Sequence, residues 1–152
     1  MSGLDILIVI VVALLVALAA WAYFTAQRLN RLHIRVDAAL AQLQAALDRR
    51  AAVLGALDDS LRDTAKAAES ISLSDGAFDA RTAAERALAL AAAESFPQRP
   101  EQLVEAEIRV QLAHRFYNEA VADTRALRLR PVVKACRLGG TARLPEFFEL
   151  AS

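Results

Sequence analysis

The 152-residue sequence has little of what interrupts helices: five glycines and four prolines. Such a chain disfavours folds made of many turns and admits long helices. A single cysteine, Cys136, excludes an internal disulfide and any CxxC metal or redox motif, and it reads as small apolar filler. The two histidines, His33 and His114, stand far apart on different segments, and no HExxH or Glu-x-x-His spacing accompanies either. No GxSxG, P-loop or dinucleotide fingerprint occurs. Glu105 and Glu107, two positions apart, point to different sides of a helix and do not build a carboxylate dyad. Eighteen basic residues balance eighteen acidic ones, which argues against a nucleic-acid surface. These absences leave no support for an enzyme, a cofactor, a metal or a small-molecule substrate.

One long hydrophobic run is present. Residues 6–24, ILIVIVVALLVALAAWAYF, carry no charge and are about long enough to cross a bilayer core at ~1.5 Å per residue. Trp21 and Tyr23 fall near its end, where amphipathic rings prefer the membrane interface. A cleaved signal peptide is the rival reading, because Ala17-Leu18-Ala19 resembles a cleavage site. Against it, no Lys or Arg precedes the run, and the run exceeds a usual signal core. Only Asp5 lies before it, whereas Arg28, Arg31 and Arg35 follow. That bias predicts a single-pass protein with its amino terminus outside and its body in the cytoplasm.

Beyond the run the apolar residues fall in heptads. Leu29, Val36, Leu43 and Leu57 form one column and Leu40, Leu47, Leu54 and Leu61 another, with steps of three and four placing both on one helix face. His33 and Arg50 interrupt this seam; Arg50 either snorkels or pairs with a carboxylate. The helix is expected to continue from the apolar run without a break until the Ser, Asp and Gly cluster at residues 70–78. An Ala-rich helix follows over about residues 79–95, ended by the two prolines of SFPQRPE. A third spans about residues 101–129, with Pro100 and Glu101 suited to its start. Its seam is Leu103, Ala106, Val110, Ala113, Tyr117, Ala120, Thr124 and Leu127.

Within that helix HRFYNEAV sets two aromatics side by side, about 100° apart. Tyr117 belongs to the seam and faces inward, whereas Phe116 continues a separate line through Ile108 and Leu112. An apolar line rimmed by Arg115, Glu119 and Asp123 suggests a contact with a partner; the alternative is a wall packed on the second helix. Asn118, at the seam's edge, is placed to reach the Arg35–Asp37 segment.

From residue 130 the chain carries Arg130, Lys134, Arg137 and Arg143 with no acid before Glu146. Such an end reads as a flexible, solvated tail, with loose contact to anionic headgroups as the functional alternative. Three parts result: an anchor over 1–27, a helical bundle over 28–130 and a basic tail over 131–152. The expected fold is all-α, a transmembrane helix followed by a long-helix antiparallel bundle of about three helices.

RVDAALAQLQAALDRRAAVL on the first helix and EIRVQLAHRFYNEAVAD on the third resemble the LemA family of bacterial membrane proteins. AAAESFP is similar to that family's AVAEAYP, and LPEFFE to its Pro-x-Pro-Phe-Phe-Glu end. The resemblance implies an amino-terminal membrane segment, a long-helix bundle and a bacterial cell membrane. It also implies structural roles for Arg35, Asp37, Glu107, Tyr117 and Asn118. The chain departs from the pattern in a shorter loop after Pro97 and in Thr124-Arg125, where a second Tyr-Asn pair is expected. Ile108 and Phe116 are apolar where the family carries polar residues. The expected function is a non-enzymatic, membrane-tethered scaffold that binds a protein partner or itself through helices. The alternative is an accessory subunit of a membrane enzyme or transport complex.

Overall fold

In the computed structural model, which describes residues 2–74 and 76–150, the chain is helical, with no strand among the described residues. The first helix, α1 (Gly3–Leu57), is 55 residues long and runs unbroken out of the apolar segment, as the lack of Gly and Pro there predicts. Ser2 and Asp5 cap its start reciprocally, each side chain accepting from the other's backbone N–H.

The end of α1 differs from expectation. It stops at Leu57 instead of continuing to the serine cluster, and Leu57, assigned to the seam, is exposed. Asp58 turns extended, and its carboxylate accepts from the Ser60 N–H at 2.8 Å. Hydrogen bonds from Ser60 and Ser95 hold that carboxyl below its ordinary range. A local Asx-type bond of this kind offers the backbone a competitor to the helix. A 3-10 turn (Asp59–Leu61) leads into the short α2 (Arg62–Glu69). The chain then continues through α3 (Phe78–Ser95), α4 (Glu101–Arg128) and the five-residue α5 (Pro131–Ala135). Three helices are long, and two short ones were not anticipated.

Named contacts give each helix its direction. α2 turns back along α1: it crosses Gly55, where an added Cβ would lie 3.5 Å from the Arg62 backbone, and Gln44 accepts from the Leu73 N–H at 3.0 Å. α3 reverses again, from Phe78 beside Tyr117 to Leu88 in the cluster that holds Leu54. α4 then returns along α1, from Leu103 near Leu54 to Leu127 beside Leu29. Four passes form the bundle, so the end of α4 and the short α5 come back toward the apolar segment.

The core forms three stacked groups. Ala51, Leu54, Leu61, Ala65, Leu88 and Leu103 fill the far end. Val36, Leu43, Leu47, Val110, Tyr117 and Phe148 fill the middle. Leu29, Leu127 and Val133 close the end near the apolar segment. Of the expected inner seam, Val36, Leu43, Leu47, Leu54, Val110 and Tyr117 are buried, while Leu40 and Ala113 are half-buried against the same core.

Among the described residues nothing covers the apolar segment. None of its most hydrophobic 18-residue window is buried, and by length and composition it is suited to cross a membrane; a signal sequence meets the same description.

The tail is a correction. Up to residue 150 it packs on the bundle instead of lying free, and residues 151–152 fall outside the described part. Gly140 (φ 61°) turns the chain, and an extended strap then carries Phe148 to a position only 1% exposed. Phe148 meets Phe78 edge to face with ring centroids 5.6 Å apart. Burying this ring does not require burying the tail's charges, since Lys134, Arg137 and Arg143 stay exposed.

Candidate functional site

The three consecutive faces of HRFYNEAV take three different partners. Tyr117 points inward, 1% exposed, and its hydroxyl donates to the Glu146 carbonyl at 2.6 Å. Burial, then the nearby Glu146 and Asp37 carboxylates, push its phenol up to about 12, so it remains a neutral donor.

Asn118 faces the strap. It accepts the Phe148 N–H at 3.1 Å and donates to the Phe148 carbonyl at 3.2 Å, as a neighbouring strand would. His114 lies 2.7 Å from the same carbonyl. The contact expected between Asn118 and the Arg35–Asp37 segment is therefore replaced by the strap, which sequence spacing does not reveal. Arg35 instead pairs with Asp123 at 3.0 Å, an exposed bridge across α1 and α4. Asp37 is exposed and lines a cleft of about 660 Å³ between α1 and the strap. Glu107 takes Arg99 at 2.6 Å, fastening the first turns of α4 to the Pro-rich connection.

Phe116 faces solvent. Ile108, Leu112 and Phe116 are 58%, 51% and 46% exposed, and Val104 extends the line by one more turn at 39%. α3 packs elsewhere, so this stripe is open along four turns of α4. Ion pairs Arg109–Glu105 and Arg115–Glu119 run beside it on the helix surface.

A buried charge network was not anticipated in full. Arg81 is 0% exposed, and its three guanidinium nitrogens reach Glu85 at 2.8 Å, the Ile71 carbonyl at 2.9 Å and Asp48 at 2.7 Å. The other Glu85 oxygen accepts from Arg50, which resolves the seam interruption as an ion pair. Among the described residues Arg50 Nε has no hydrogen-bond partner. The only sequence signal for the network is the four-residue spacing of Arg81 and Glu85. Its charges are spent on one another and join α3 to α1.

His33 and His114 do not pair, and Cys136 is exposed on the return segment. Among the described residues no group of three His, Cys, Asp or Glu side chains is placed to hold a metal ion. Comparison with known proteins adds no relative: no family model, curated protein or solved structure matches this chain.

Proposed function

We propose that the protein is a non-enzymatic helical scaffold tethered to the bacterial cell membrane, similar in plan to the LemA family. In this reading α1 crosses the bilayer once, the amino terminus lies outside and the bundle stands in the cytoplasm. One observation carries the reading: a single unbroken helix joins a fully exposed apolar segment to a buried heptad seam. Exposed apolar surface of that length matches the thickness of a bilayer core. The open stripe Ile108, Leu112 and Phe116 is the surface offered to a partner helix, at the spacing that helix-in-groove recognition uses.

Two measurements test this. Alkaline carbonate should leave the full chain in the membrane pellet, and its mature amino terminus should precede Ala17. A mature terminus at or after Ala20 would make the run a signal peptide. For the stripe, Phe116→Ser should melt within about 0.5 kcal/mol of the parent while releasing a co-purifying protein or a crosslinked second copy. Tyr117→Ser should unfold the bundle, since it removes a buried ring. Equal destabilisation by both variants would put Phe116 in the core and remove the site.

A further inference from the structure

The basic residues are unevenly placed. Segments 25–36 and 124–145 hold nine of the eighteen Lys and Arg residues and no Asp or Glu. The fold brings these segments together: Leu29 of α1, Leu127 of α4 and Val133 of α5 share one buried cluster, with Leu138 packed against it. Arg28, Arg31, Arg130, Lys134 and Arg137 are exposed there, and none has a side-chain hydrogen bond or ion pair among the described residues.

Neighbouring groups leave this charge uncancelled. Arg125 and Arg128 donate to the neutral carbonyls of Pro145, Arg143 and Ala142 at 2.6–3.0 Å, which orders them without removing their charge. Gly139 permits that approach, since a Cβ there would fall 2.9 Å from Arg128 Nε. Two carboxylates beside these segments are engaged, Asp123 by Arg35 and Glu146 by Arg143, while Asp37 lines the cleft between α1 and the strap together with Arg143. Leu129 and Val132, each 54% exposed, stand among the free cations. Mixed exposed apolar and basic side chains are the composition of a segment that lies at a lipid interface. Height agrees with this: Arg28 follows the last residue of the apolar run, Phe24, by about one helical turn, or ~6 Å.

We propose that this collar binds anionic phospholipid headgroups, the arginine forks engaging phosphate while Leu129 and Val132 enter the acyl boundary. The proposal rests on the anchored reading, which holds the collar at headgroup depth.

Cys136, the single and exposed thiol, is flanked by Lys134 and Arg137 and serves as the reporter. The full chain, labelled there with an environment-sensitive dye, is reconstituted in liposomes of phosphatidylcholine alone or with a phosphatidylglycerol fraction. Emission should rise and shift to the blue only with phosphatidylglycerol, and should revert when salt shortens the screening length to about 3 Å. The variant Arg31→Gln, Arg130→Gln, Lys134→Gln should reduce the response about fivefold or more, with an unchanged circular dichroism spectrum. Flotation on phosphatidylcholine reads the anchor separately. A chain that floats there but shows no response to phosphatidylglycerol overturns the collar and keeps the anchor. Flotation with phosphatidylglycerol only, with the dye response, keeps the collar and removes the anchor; flotation with neither removes both.

Discussion

Tyr117 links the core to the strap through one hydroxyl, and its raised phenol makes that link sensitive to alkali. The folded chain binds the phenolic proton more tightly than the unfolded chain does, whose value is near 10. The resulting stabilisation is complete below pH about 10 and is lost as pH rises through about 12, amounting to roughly 2–3 kcal/mol at most. Denaturation of the detergent-solubilised full chain should therefore show the parent losing stability relative to Tyr117→Phe across that interval. Parallel curves would remove the coupling. Arg81 is the second decisive residue. Arg81→Met should cost about 3–5 kcal/mol, because it strands Glu85 and Asp48 beside a single remaining cation. Thermal melts that match the parent's would show the network to be dispensable. Little of this was legible beforehand. Arg81 meets Asp48 across 33 sequence positions, a separation that no periodicity relates.

At the scale of elements, the seams were the most legible feature. Positions every three or four residues on α1 and α4 bury together because a helix repeats every 3.6 residues and one face must leave water. Leu43→Ala and Leu47→Ala should thus each cost roughly 2–5 kcal/mol, since both positions are 0% exposed. Exposed Arg49→Ala should change stability by under about 0.5 kcal/mol. A urea series that ranked them in the opposite order would refute this register. Two elements escaped the sequence reading for physical reasons. The stop at Asp58 depends on one side chain bonding two residues ahead, a signal carried by Asp-Asp-Ser alone. The strap is extended and irregular, so Phe148 has no periodic neighbours to announce that it is buried.

At the scale of the whole molecule, four passes place α5 at the same level as the start of the bundle. Cys136 then reports on which side of a membrane this level lies. In intact cells it should resist a membrane-impermeant maleimide, and it should react once the membrane is opened. Full labelling of intact cells would reverse the proposed topology. Arg28, Arg31 and Arg35 carry only an expectation of the side, and sequence spacing leaves out the level, which depends on the number of reversals between α1 and α4.

The unbroken course of α1 has a mechanical consequence. From Phe24 to Leu57 it extends about 50 Å beyond the apolar run without a glycine or proline joint until Gly55. In a bilayer such a helix is a lever with its fulcrum at the lipid surface. Spans tilt by about 20° on average to match local thickness, and that angle moves the far tip sideways by roughly 17 Å. A reorientation of that size from upright would sweep the distal end, with Leu54, Leu88 and Leu103 inside it, through more than the width of a helix.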